Sequence, residues 1–192
     1  GVNAPAMLYN KTLTDSLGIE VPDNITWDQF VEISRKIFEE TGVGVIYGDG
    51  NSENPLTYYA RSLGYTALWD ANGLLPNAEE MTGYYQRLID GVAEGWMFDT
   101  DKLAGVNTAD LAQYPLVYGA TNDVRCWCAL AFSNQIAAYQ TAATADGIEL
   151  GITTWPSLDP VASNYLKPGQ FFSVTTDAEN PDLAVAILNY LI

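Results

Sequence analysis

The residues best suited to binding chemistry sit at one junction. Residues 124–132, VRCWCALAF, form an apolar run long enough for a buried strand, and Ser133, Asn134 and Gln135 follow it before a second apolar segment opens at Ile136. A strand turning into a helix at this point would place a hydroxyl and two amides at an elbow. Ser133 or Asn134 would then be the N-cap, and the first-turn N–H groups would have no intrahelical acceptor. In α/β proteins the ends of the strands border the ligand crevice. Trp127 on the same strand would add an apolar plate beside those donors. A flat ring with directed hydrogen bonds is the chemistry that holds a neutral, hydroxyl-rich molecule without reacting with it. The competing reading of the pattern is a buried strand followed by a capped core helix.

Other chemistries fare worse. The 192 residues contain no histidine, which removes the usual general base at neutral pH and every Ser-His or Cys-His nucleophile pair. Cys126 and Cys128 are two apart on a strand, with a Cα separation of about 6.6 Å and parallel side-chain directions that suit a disulfide poorly. They are read as free buried thiols, and without further Cys or His they make no zinc site. With 24 acidic residues some pair will lie at glycosidase spacing by chance, so composition gives a hydrolase no support. Asp49, Asn51 and Glu53 match the first three calcium ligands of an EF-hand loop, but Asn54 replaces its glycine and Ala60 its closing glutamate, so the loop fails. No glycine-rich phosphate loop is present. No cofactor and no metal is expected.

The acidic residues outnumber the 8 basic ones for a net charge of −16, which repels phosphate backbones and anionic membranes and argues against nucleic-acid partners. No apolar run approaches the ~20 residues of a membrane span. The chain reads as soluble, with any export signal lying upstream of Gly1.

The elements that must position the junction alternate between strand and helix. Residues 6–9 read as a strand and 11–17 as a short helix that Gly18 can end. Thr26-Trp27-Asp28-Gln29 fits a capping box, opening a helix that runs to Gly42. Residues 43–47 read as a strand, 48–54 as a polar loop, 55–63 as a helix and 78–94 as a long helix, with a turn at 70–73 between them. Residues 99–122 are poorly patterned, with a short helix near Leu111. Residues 150–154 and 171–175 read as strands, and Asn180-Pro181-Asp182 starts a last helix. This alternation argues an α/β fold with a mixed, largely parallel sheet flanked by helices.

Several stretches in this order resemble family 1 extracellular solute-binding proteins of ABC transporters, the group that includes maltose-binding protein. They are LYNK at 8–11, TWDQF at 26–30, SNQ at 133–135, NPDLA at 180–184 and, as in the sugar-importing branch, YLKPGQFFSV at 165–174. The resemblance implies a periplasmic-binding-protein-like (type II) lobe. Family members are about twice this length and hold a sugar between two lobes. By that comparison residues 1–167 are an incomplete second lobe, and 168–192 are a crossing strand and helix belonging to the first. The chain would then be a piece of a longer protein, whose signal peptide and lipid anchor precede it.

The resemblance implies non-catalytic binding of a mono- or oligosaccharide for delivery to permease subunits, at the extracellular face of the cytoplasmic membrane or in the periplasm. Another small solute, such as a peptide or amino acid, is the alternative, and a carbohydrate-active enzyme domain the alternative of a different class. The binding positions implied are Asn3, Glu53, Tyr58, Ser133, Asn134 and Gln135, with Trp155 and Gln170 as cleft neighbours. Pro55 stands where the maltose-binding member has an aromatic, and Leu130 where it has its central stacking Trp. Either Trp127 substitutes from nearby or the ligand differs. Finally, LAVAILNYLI at 183–192 is apolar nearly all round and is expected to be buried. Burying even about 400 Å² of it is worth roughly 10 kcal/mol, so self-association through 171–192 is expected where no first lobe covers it, with little sugar affinity from one cleft wall.

Overall fold

The structure, a computed structural model, describes residues 1–47, 53–104, 106, 110–117 and 124–191. Strand β1 (Val2–Asn3) leads into β2 (Pro5–Asn10). Helix α1 (Lys11–Ser16) follows, capped by the Asn10 side chain, which accepts from the Leu13 N–H at 2.9 Å. Helix α2 (Trp27–Thr41) starts with the expected capping box and ends at Gly42 in the left-handed conformation, φ 74°. Then come α3 (Glu53–Ser62), the hairpin β3 (Trp69–Asp70) and β4 (Gly73–Leu74), α4 (Ala78–Ala93) and α5 (Thr100–Leu103). Strand β5 (Cys128–Phe132) passes through a 3-10 turn (Ser133–Gln135) into α6 (Ile136–Thr144). The chain closes with β6 (Leu150–Thr153), α7 (Pro160–Ser163), β7 (Lys167–Pro168) and α8 (Pro181–Leu191).

The main sheet corrects the expectation of largely parallel strands. Its order is β5-β2-β6, and β2 is antiparallel to both neighbours, with Pro5 opposite Phe132 and Met7 opposite Thr153. The strand–helix–strand alternation did signal a crossover, because β5 and β6, joined by α6, run parallel to each other. The slot between them is filled by β2 from the start of the chain, a split β-α-β arrangement that alternation along the sequence cannot reveal. Among the described residues parallel pairing survives only as single bridges, Gly44 to Cys126, Val45 to Met97 and Thr26 to Ser157.

Those bridges explain two further differences. Residues 43–47 and 124–127 form no strand of their own; each contributes one bridging residue to the other. Residues 171–175 pair with nothing among the described residues, and Phe171 and Phe172 are exposed. Residues 48–52, which hold most of the expected polar loop, lie outside the described residues, as does part of 99–122.

Side chains alternate across the sheet. Met7, Cys128 and Leu130 face α2, where Trp27, Phe30 and Ile37 pack with Trp96 and Trp127. Leu8, Ala129 and Ala131 face the other way onto Tyr139 and Ala143 of α6. A satellite core joins α3 to α4 through Leu56, Tyr59 and Tyr84. Cys126 and Cys128 are free and buried, as expected, and burial pushes both thiols up. Helix α8 packs on nothing among the described residues. It has no buried residue, and Leu183, Val185, Ile187 and Tyr190 are exposed.

Gly44 allows a close approach of backbone to backbone in the core. A Cβ there would lie 2.6 Å from the Phe98 ring and 2.8 Å from the Trp96 carbonyl oxygen, and the backbone oxygen cannot swing away. Gly44→Ala is therefore expected to destabilise the fold by about 1–3 kcal/mol, the usual cost of overpacking, read as a lower urea midpoint. An unchanged midpoint would show that residues 44–46 and 96–98 are less tightly held than described.

Candidate functional site

The end of the sheet where β2 begins and β5 ends gathers most of the sequence-derived site residues. Beyond the last ladder pair, Ser133 and Ala4 continue the contact reciprocally. The Ser133 N–H donates to the Ala4 carbonyl at 2.8 Å, and the Ala4 N–H donates to Ser133 Oγ at 3.1 Å. Ser133 is thus not a helix cap, which corrects that expectation; its hydroxyl is turned to the neighbouring strand. The amide that serves the turn is Gln135, whose Oε1 accepts from the Phe132 N–H at 2.8 Å. Asn134, between them, is exposed.

Asn3 precedes Ala4 and pairs across β1–β7 with Lys167. Its Oδ1 is buried and has no hydrogen-bond partner among the described residues. The Lys167 ammonium lies 4.3 Å from the centre of the Phe132 ring. Phe132 in turn meets Trp155 at 5.7 Å between centroids, and Trp155 meets Tyr58 at 5.4 Å. Trp155 is locked by its indole N–H, which donates to the Ala131 carbonyl at 2.9 Å, and the Tyr58 hydroxyl donates to the Pro160 carbonyl at 3.4 Å. Burial pushes the Tyr58 phenol up, so it stays protonated as a donor. Gln170 is exposed, its carbonyl accepting from the Gly1 nitrogen at 3.2 Å.

Asn3, Ser133, Gln135, Trp155 and Tyr58 are therefore linked by hydrogen bonds, strand pairing or ring contacts into one region, with Asn134 on its surface. Glu53 opens α3, but its side chain is outside the described residues. Trp127 does not belong to this region. It is fully enclosed, 5.7 Å from the Phe30 ring, and its indole N–H donates to Ser34 Oγ at 3.1 Å. It stands five positions before Phe132, roughly 16 Å of extended chain at 3.3 Å per residue, and lies in the same core as Leu130, so neither residue presents a stacking ring at the cleft. This corrects the expectation of Trp127 as a cleft plate.

Sequence reasoning missed Phe132 and Lys167. The signal for Phe132 was present: on a strand it shares a face with Leu130, two residues earlier, and stands at the mouth where that face leaves the core. Nothing local marks Lys167, because its place follows from the pairing of β7 with β1, whose residues are distant in sequence. The region offers amide and hydroxyl groups beside an aromatic edge, which is the equipment of non-covalent recognition. Among the described residues no group of three or more His, Cys, Asp or Glu side chains is arranged to hold a metal ion.

Removing the Ser133 hydroxyl leaves the half-buried Ala4 N–H without its acceptor. Ser133→Ala should lower stability by about 1 kcal/mol in urea unfolding, and no loss would mean that water replaces the hydroxyl at no cost.

No protein-family model matches the chain, and no curated protein matches it by sequence. Solved structures do match its fold. An extracellular solute-binding protein family 1 from Alicyclobacillus acidocaldarius subsp. acidocaldarius DSM 446 is 21% identical at a TM-score of 0.76, over 100% of this chain and 46% of that one. A periplasmic solute binding protein from Pectobacterium atrosepticum SCRI1043 is 16% identical at 0.73, over 100% and 48%. A periplasmic oligogalacturonide binding protein from Yersinia enterocolitica is 20% identical at 0.66, over 99% and 47%. At these identities the likeness is one of fold, periplasmic-binding-protein-like with mixed helix and sheet. The chain spans about half the length of the structures it matches.

Proposed function

We propose that this chain supplies one wall of a carbohydrate-binding cleft, in a two-lobed solute-binding protein that delivers sugar to an ABC importer without transforming it. The observation that carries this reading is the half-buried ring of Phe132, held from behind by the buried rings of Trp155 and Tyr58, beside Asn134, Ser133 and the Oδ1 of Asn3, which has no partner among the described residues. Ring faces meet the C–H surfaces of a sugar, and amides and hydroxyls meet its hydroxyl groups. The match to about half of solute-binding proteins supports the two-lobed arrangement, and the Yersinia protein, described as binding oligogalacturonide, supports a saccharide as the solute. In this reading residues 1–167 are the second lobe, 168–192 pass to the first, and closure of the lobes on the ligand is the mechanism. The placement is extracellular or periplasmic, through a lipid anchor on the longer protein, with the permease subunits as partners.

One wall should bind weakly. Saturation-transfer NMR on this chain is expected to show mono- and oligosaccharides held in the millimolar range, about 4 kcal/mol, and Asn134→Ala should weaken that by roughly 1–3 kcal/mol. Sugar binding that Asn134→Ala leaves untouched would move the site elsewhere. Micromolar affinity, about 8 kcal/mol, would mean that no second lobe is needed.

The exposed apolar surface of α8, with Phe171 and Phe172 before it, is proposed to pack on the first lobe. Without that cover two chains should bury it against each other. Light scattering on the 192-residue chain should give a mass above that of a monomer at ~100 μM, a concentration at which even a weak apolar dimer of about 6 kcal/mol forms, and a strict monomer would count against this use of α8.

A further inference from the structure

A second cleft lies between α2 and α4 and shares no lining residue with the sheet end. Its volume is about 310 Å³, at the lower end of small-molecule sites. Trp27 and Trp96 form apolar parts of its wall, and two arginines and three carboxylates supply the charge. One arginine is already satisfied. Arg35 grips Glu94 with Nε to Oε2 at 2.6 Å and a terminal nitrogen to Oε1 at 2.5 Å, and the Trp96 indole N–H donates to the same carboxylate at 2.7 Å. These donors hold the Glu94 carboxyl below the ordinary range, so it is charged and committed to Arg35.

Arg87 is in the opposite condition. Its guanidinium lies 6.0 Å from the Trp27 ring centre, its Nε is buried, and that nitrogen has no hydrogen-bond partner. No carboxylate stands within ion-pair distance of it among the described residues. The buried Nε is shielded even from water, so a ligand in the cleft meets Arg87 through the terminal nitrogens of its guanidinium, and a carboxylate is the group that matches that planar fork. A simple anion is nevertheless a poor guest here. Asp28 and Asp90 line the same cleft, and the chain carries −16 overall, so a lone negative charge is repelled. A molecule carrying both charges satisfies the two sides together.

We propose that this cleft binds a small zwitterion of the α-amino acid class, its carboxylate on Arg87, its ammonium toward Asp28 and Asp90, and its short side chain against the tryptophans. The site is independent of the sugar-binding reading.

The chain has four arginines, so the side-chain Nε–H signals can be resolved by ¹⁵N NMR and that of Arg87 identified from the Arg87→Lys variant. The probes are L-alanine, acetate and methylammonium, each titrated to tens of millimolar. L-Alanine is expected to move the Arg87 signal along a saturating curve, and the two half-molecules to bind at least about tenfold more weakly, a difference of one decade in Kd. Arg87→Lys, which keeps the charge but not the fork, should lose L-alanine binding, followed at the Trp27 indole N–H. Asp28→Asn should erase the preference for L-alanine over acetate. The proposal is overturned by a linear or absent response to L-alanine, by acetate binding as well as L-alanine, or by full binding in Arg87→Lys.

Discussion

Strand β2 is the constraint on which the rest of the structure depends. It hydrogen-bonds on both edges, to β5 and β6, and its first four residues are buried. A strand in that position must be apolar on both faces, and PAMLYN is: Met7 enters the core under α2 while Leu8 enters the core over α6. Fixing β2 also fixes the candidate binding surface. Ala4, one residue before it, holds Ser133, and Asn3 faces Lys167, so the start of one strand sets the height of the elbow, the lysine and the aromatic edge together. A polar substitution at Met7 or Leu8 would reach the surface through this register even though neither side chain lies there.

Local chemistry was legible and long-range pairing was not. The capping box at Thr26, the helix end at Gly42, the stop at Gly18 and the strand-to-helix junction at Ser133 all depend on residues within a turn of one another, and the structure has them. The direction of the sheet depends on contacts between residues 5–10 and residues more than a hundred positions later, for which sequence offers only alternation. Trp127 shows the same limit at one residue. Its type suited a binding plate, but Ser34 of α2 supplies its indole with a buried partner, and that pairing spans 93 positions. Asn3, Ser133, Gln135 and Trp155 came together because they lie at or just past the ends of elements, where polar groups have a reason to be, and Tyr58, in the middle of α3, joins them through the Trp155 ring. Phe132 is legible only from the face of the strand that it shares with Leu130, because its residue type alone is equally suited to the core.

The two candidate surfaces use charge differently. At the sheet end a single ammonium rests on an aromatic face, and the neighbours that carry hydrogen bonds are neutral. Between α2 and α4 charges of both signs are crowded around two tryptophans. Salt should therefore matter little at the first and considerably at the second, since screening acts on charges and leaves neutral hydrogen bonds nearly untouched.

The placement of the five tryptophans gives the molecule a built-in optical record. Trp27, Trp96, Trp127 and Trp155 are buried, while Trp69, on the β3–β4 hairpin, is 56% exposed. Emission from the four enclosed indoles belongs at short wavelength, with Trp127 and Trp155 the best shielded from a collisional quencher, and the red, most readily quenched fraction belongs to Trp69. Iodide, being an anion, will approach even that ring slowly through the field of a chain carrying −16, whereas neutral acrylamide will not be hindered. Replacing Trp69 by a non-fluorescent residue would then leave a spectrum that reports only on the interior.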